Sequence, residues 1–240
     1  MSCGEESLTA LDVVTGEVVW RVCDPLCFAS SVTVERDALY AVAGGAPPSS
    51  GRATRGARIH HIDPWSGLPR WSVELPRGVR PVAPPLACDD AVVLATRAQH
   101  GTGVIGFDAR SGAQLFERDA CLGNAAALAV DGTVILNSEA GEFAALDART
   151  GAVRYRHVFA AGVEGDRPRK LDPVLRSGAL FVPQTRVHVV RPLDGAILGA
   201  VDTELVPDLV RVDEHCNVIV AEESGHMAAF GAGAKLSLVR

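Results

Sequence analysis

The sequence predicts an all-β chain folded as a propeller of four-stranded antiparallel blades, and three observations predict it. A short phrase recurs six times at near-constant spacing. A second, looser phrase falls between its copies. No stretch carries the 3.6-residue apolar periodicity of a helix.

The first phrase is fullest at Ala10-Leu11-Asp12-Val13-Val14-Thr15-Gly16-Glu17-Val18-Val19-Trp20. Its core returns as Asp63–Gly67, Asp108–Gly112, Asp147–Gly151, a worn Arg191–Gly195 and a remnant around Gly231. Measured between equivalent first positions, and counting the remnant at Gly231, the steps are 51, 45, 39, 44 and 40 residues. A period near forty belongs to propellers and solenoids. Apolar and polar residues alternate on both flanks, so each phrase joins two strands through a tight turn. Asp caps the bend by accepting backbone N–H groups, Ser or Thr does the same from the fourth position, and Gly at the fifth tolerates positive φ.

Five further hairpins lie between these, at Thr33–Tyr40, Leu86–Val93, Leu128–Ile135, Leu175–Phe181 and Val210–Ile219. Two hairpins per period make one four-stranded blade. Six outer hairpins against five inner ones predict five full blades preceded by an N-terminal half blade, in an incomplete propeller or a segment of a larger one. The last outer hairpin is expected over Met227–Val239. Residues 1–240 are expected to form a single domain, a length that one such fold accommodates.

The chain is 48% hydrophobic and 22% charged, with a formal net charge of −6. That balance argues against nucleic acid as a partner, because such binding needs dense Lys and Arg. No apolar run approaches the ~20 residues of a membrane span, and Met1–Glu6 has no signal-peptide pattern. An upstream leader would place the protein outside the cytoplasm, and its absence would place it inside. Cys3, Cys23, Cys27, Cys88, Cys121 and Cys216 are too dispersed for a zinc signature. Cys23 and Cys27 are the one close pair, open to a bridge or to two thiols.

The phrase resembles the repeat of the pyrroloquinoline-quinone (PQQ)-like propeller superfamily, whose signature is Ala-x-Asp-x-x-Thr-Gly-x-x-x-Trp. Ala10 to Trp20 matches at every specified position. His61 to Trp71 keeps Asp63, Gly67 and Trp71 with Ser66 in place of Thr. The next two copies keep Asp108 and Gly112, and Asp147 and Gly151, with Phe116 and Tyr155 at the aromatic place. In the fifth, Gly199 stands there. The resemblance implies that Trp20, Trp71, Phe116 and Tyr155 wedge between neighbouring blades.

Catalytic members of that superfamily hold a calcium-type ion with Glu, Asn and Asp, use an Asp base, and often stack the quinone on Trp beside adjacent cysteines. This chain has no adjacent cysteines and no assignable acid set. No catalytic, cofactor-binding or metal-binding residue is therefore assigned, and no cofactor is expected. His60 and His61 point to opposite faces of one strand, which disfavours a shared metal. Asp213-Glu214-His215-Cys216 falls where other repeats place turns.

Function is sought where the period breaks. Gly44–Arg58 lengthens one connection and is basic in an acidic chain, with Arg52, Arg55 and Arg58 as candidate contacts, and Ala160–Lys170 lengthens another. The leading expectation is a non-catalytic scaffold for protein interaction. The alternatives are a relative or fragment of a PQQ-dependent dehydrogenase and a propeller module that senses a small-molecule ligand.

Overall fold

The computed structural model describes residues 2–3, 7–26, 28, 32–44, 56–98, 101–120, 125–160, 172–203, 207–222 and 224–231. Among them every regular element is a strand, and every strand pairing is antiparallel. The chain divides into two compact units. One is Met1–Cys121 with the turn Ala148–Gly151, and the other is Leu122–Asp147 with Ala152–Arg240.

The first unit carries three sheets. Strands β1 (Ser2–Cys3), β2 (Ser7–Leu11) and β3 (Val18–Cys23) lie in that order. The half blade expected here is thus three strands, because Ser2 and Cys3 pair with Thr9 and Leu8. Two residues are too few to show alternation, so nothing in the sequence announced β1. Next come β4 (Thr33–Glu35), β5 (Ala38–Gly44), β6 (Ala57–Ile62) and β7 (Pro69–Glu74), also in chain order.

The third sheet holds β8 (Arg80–Pro81), β9 (Leu86–Cys88), β10 (Ala91–Ala98), β11 (Gly101–Asp108) and β12 (Gln114–Ala120). Both β8 and β9 pair with β10, so this blade's first strand is split in two. Pro84 and Pro85 sit at the split, and a proline has no N–H to give a ladder. The Val82 N–H still reaches the Ala95 carbonyl at 3.0 Å and keeps the two halves in line.

In the second unit, β13 (Ala125–Val130), β14 (Thr133–Ser138), β15 (Glu142–Asp147) and β16 (Val153–Val158) form one four-stranded sheet. Strands β17 (Val174–Arg176), β18 (Ala179–Pro183), β19 (Val187–Val190) and β20 (Ile197–Val201) form another. A three-stranded sheet follows, of β21 (Leu209–Val212), β22 (Val218–Ala221) and β23 (Met227–Phe230). The rest of the hairpin expected to run to Val239 lies outside the described residues.

Within each unit the cores lie between successive sheets, and the period of two in a strand such as β5 or β18 serves two cores at once. On β5, Leu39, Ala41 and Ala43 pack with Leu8, Ala10 and Trp20 of the sheet before. Tyr40 and Val42 pack with Val92, Leu94, Ile105 and Phe107 of the sheet after. Strand β18 does the same, with Leu180 and Val182 toward Phe143 and Ala145, and Phe181 toward Val210, Val218 and Val220. Strands buried on both faces read as apolar runs, which is why Leu39–Ala43 shows no alternation.

The inner hairpins turn on residues with positive φ: Arg36, Asp89, Asp131 and Ser177 each begin a two-residue turn. Gly132 and Gly178 complete two of these with positive φ at both places, the geometry that matches strand twist.

Candidate functional site

The outer hairpins at Asp12, Asp63 and Asp108 are built the same way. Asp12 Oδ1 accepts the N–H groups of Val14 and Thr15 at 2.9 and 2.7 Å, and the Glu17 N–H donates to Thr15 Oγ1 at 3.2 Å. Asp63 and Asp108 repeat this with Ser66 and Ser111. In the worn copy Arg191 replaces the capping acid. Asp194 then takes over at the fourth position, accepting the Ala196 N–H at 3.0 Å and pairing with Arg191 at 2.9 Å.

The capping carboxylates are held below their ordinary pKa. For Asp12 the chief cause is the Thr15 N–H, for Asp63 the Arg70 guanidinium, and for Asp108 the Ser111 hydroxyl. Arg70 reaches Asp63 at 2.7 Å, and Arg154 reaches Asp147 at 2.8 Å.

A one-residue bulge precedes every aromatic place. Ala10 faces Trp20 while Leu11 faces Val18, which leaves Val19 unopposed. The same slip leaves Arg70, Leu115, Arg154 and Leu198 unopposed in later copies. A bulge re-aims the side chains beyond it. Here it turns the aromatic onto the next repeat.

Trp20 lies on Gly67, where a Cβ would stand 2.7 Å from the indole, and its Nε1–H donates to the Pro64 carbonyl at 2.9 Å. Trp71 lies on Gly112 and donates to Ala109 O at 2.9 Å. Phe116 lies on Gly151, and Tyr155 lies on Gly195 with its hydroxyl 2.8 Å from Pro192 O. The accepting carbonyl always belongs to the second residue of the turn. Burying such a ring contributes on the order of 2–3 kcal/mol.

A groove of about 450 Å³ opens between these turns in the first unit, lined by His61, Arg70, Asp90, Asp108, Ala109, Arg110 and Arg149. Arg110 and Arg149 stand on bonded turns and Arg70 on strand β7, and the Arg149 charge helps hold Asp108 below its ordinary pKa. His61 is its buried floor, packed against Tyr40 and edge-on to Trp71 with ring centroids 4.9 and 5.6 Å away. Neither of its ring nitrogens has an aligned hydrogen-bond partner. Burial, then the Arg70 charge, lowers its pKa below the ordinary histidine value.

His60 faces the other way. Its Nδ1 lies 2.9 Å from Ser72 Oγ, and its Nε2 lies 3.0 Å from buried Asp24 as an off-axis polar contact. Asp24 also accepts the Leu26 N–H at 2.7 Å and pairs with Arg58 at 3.1 Å, while Arg58 reaches Glu74 at 2.8 Å.

Of the three arginines expected to mark a binding loop, Arg52 and Arg55 lie outside the described residues. Arg58 is on strand β6, half buried and bonded to two carboxylates, so it belongs to the sheet and not to a loop. Gly44 and Ala57 are paired ladder residues at the same place. The second expected insertion is described only at Ala160.

Sequence reasoning missed the groove and the His60 network. A signal for part of it existed: Arg70 and Arg154 both stand seven residues after their capping acid. Cys23 and Cys216 are unbridged thiols, while Cys27 is not among the described residues. No group of three His, Cys, Asp or Glu able to hold a metal occurs among the described residues, and no helix there is long and apolar enough to cross a membrane.

Capped outer hairpins, bulges that aim an aromatic onto the next turn, and cores between successive antiparallel sheets together define a PQQ-like β-propeller. A family model described as outer membrane protein assembly factor BamB matches residues 4–191. The chain belongs to that family. The crystal structure of BamB from Moraxella catarrhalis superposes with a TM-score of 0.69 at 21% identity, covering 93% of this chain and 64% of that one. The chain thus spans less than two thirds of the length of that protein. A europium-containing methanol dehydrogenase superposes with a TM-score of 0.61 at 10% identity over 83% of this chain and 48% of the enzyme, a likeness of fold alone. A comparison with curated proteins gave no match.

Proposed function

We propose that the chain is a non-catalytic scaffold that binds other proteins. The observation that carries this reading is how the repeated acids are used. Asp12, Asp63 and Asp108 each spend one carboxylate oxygen on two backbone N–H groups of their own turn, which leaves them capping and not reacting. Membership in a family described as an outer membrane protein assembly factor supports the same direction. The groove of Arg70, Arg110 and Arg149 over His61 is the contact surface we favour, because a paired strand and two bonded turns present its charges at low entropic cost.

Two measurements test the proposal. Affinity isolation of the full chain from its native envelope and cytosol is expected to yield a stoichiometric protein partner, with Arg110→Glu weakening the association. Addition of the quinone with calcium, an alcohol or sugar and an artificial electron acceptor is expected to give no dye reduction. Turnover in that assay would replace the scaffold by the dehydrogenase reading.

A further inference from the structure

The groove floored by His61 sits at the turn end of its strands. His61 is the last residue but one of β6, Arg70 is the second of β7, and Asp90 lies in the turn between β9 and β10. Arg110 and Arg149 hold the same place, two residues after the capping acid, in successive outer turns. All of these residues belong to the first unit. The long connection after Gly44 leaves the opposite end of β5 and β6, so the groove is not where the repeat period breaks.

The lining charges are not equally committed. Arg70 is bonded to Asp63 at 2.7 Å. Asp108 Oδ1 accepts the Arg110 and Ser111 N–H groups at 3.2 and 2.8 Å and the Ser111 hydroxyl at 2.7 Å, so it is occupied by its own turn. Arg110 is exposed, and no carboxylate among the described residues pairs with its guanidinium. The floor supplies an independent observation. His61 is 6% exposed with no aligned partner at either ring nitrogen, and a buried polar group of that kind calls for one. After burial, the influence that weighs most on its ring is the Arg70 charge, ahead of the Asp63 carboxylate, so the floor feels a positive field.

A carboxylate suits this lining. Guanidinium groups bind that planar anion through paired N–H donors, and an imidazole offers it an N–H from the floor. Asp90 and Asp108 set a ceiling on the charge admitted, because a dianionic phosphate or a run of phosphates would meet both carboxylates. We propose that the groove receives an aspartate or glutamate side chain of a partner protein, its carboxylate held by Arg110 and Arg149 over the His61 N–H. The inference rests on the scaffold reading for its partner and on the groove alone for its chemistry.

NMR titration of the full chain with N-acetyl-glutamic acid α-methylamide, whose one charge is the side-chain carboxylate, tests it. Saturating shifts of the His61 ring protons and the Arg110 Nε–H are expected, and the uncharged N-acetyl-glutamine α-methylamide should produce neither. Arg110→Gln should weaken binding about tenfold or more, with Arg110→Lys between the two because an ammonium lacks the paired donors. A thermal melt of each variant checks that the exposed substitution leaves the fold intact. No saturable shift, equal shifts from the glutamine compound, an affinity unchanged in Arg110→Gln, or tighter binding of inorganic phosphate or of N-acetyl-glutamine with a free α-carboxylate overturns the proposal. A protein partner recovered from the native extract without any binding of the glutamate probe rejects the groove chemistry and leaves the scaffold reading standing. Probe binding with no protein partner keeps the carboxylate site and overturns the scaffold reading, together with the partner assigned here.

Discussion

Trp20 and Gly67 are complementary parts of one contact: the indole lies where the glycine lacks a Cβ, and the Trp20 N–H is bonded to Pro64, three residues before that glycine. The glycine serves two purposes at once. Its φ of +72° closes the turn, and its bare Cα lets the ring approach. Substitution is then penalised twice. Gly67→Ala is expected to destabilise the fold by about 2–4 kcal/mol, from positive φ and from overpacking against Trp20. Urea denaturation should show the midpoint falling by that amount, and a fall no greater than that of Gly78→Ala, where φ is also positive but no atom lies within 4 Å, would refute the packing share.

The hydrogen bond and the ring can be separated at Trp71. Trp71→Phe keeps a ring over Gly112 and loses the bond to Ala109 O, so it should cost about 1 kcal/mol plus the lost indole area. Trp71→Ala should cost about 3–5 kcal/mol. Thermal melts of the two variants give the ratio.

Acid should loosen the outer turns first. The carboxyls of Asp12, Asp63 and Asp108 have folded-state pKa values below the ordinary 3.8, so their stabilising contribution is complete above that value and is lost as pH falls below it. Asp63→Asn should flatten this limb of the stability–pH curve, because the neutral amide still caps the turn but no longer titrates. An unchanged limb in that variant would assign the acid loss to other groups.

His188 acts in a different window. It stacks on Phe159 with ring centroids 3.9 Å apart, and burial lowers its pKa from 6.5 to about 4. Between those values the unfolded chain binds a proton that the folded chain refuses, so stability falls as pH drops from about 6.5 to about 4. His188→Phe should make that slope shallower, leaving the share of buried His60 and His61. NMR titration of the His188 ring protons gives the pKa directly, and a midpoint near 6.5 would contradict the assignment.

Arg58 is expected to matter to stability and not to be a free contact. Arg58→Ala leaves Asp24, only 4% exposed, without its guanidinium, and should cost up to about 3 kcal/mol. Arg58→Lys should recover part of that loss, because one ammonium cannot serve both Asp24 and Glu74. Chemical denaturation of the pair decides it.

The turns were the legible part of this molecule because their chemistry is local. Asp12 and Thr15 act on N–H groups within three residues of themselves, and any copy displays the pattern. Strand β1 was illegible because two residues carry no period, and its partners Leu8 and Thr9 give no sign of it. The division between β8 and β9 had a visible cause in Pro84-Pro85, although its consequence, two short strands on one edge of β10, depends on a pairing decided elsewhere. The groove joins residues 61 and 149, and Asp24 meets residues 58 and 60 through pairing that no local window contains. Arg58 looked like part of a basic loop because Arg52, Arg55 and Gly56 precede it closely, yet its partners in space are carboxylates.

The bulge before each aromatic gives the array a direction. Trp20, Trp71, Phe116 and Tyr155 are each handed forward to the turn of the following repeat, and each meets a turn of the same shape. The repeats are therefore interchangeable parts with a common joint, like links that couple at one end only. Duplicating or deleting a whole period rejoins compatible ends, whereas losing a fraction of one strands a ring without its turn. Selection on such a gene should accept changes in whole periods and reject partial ones.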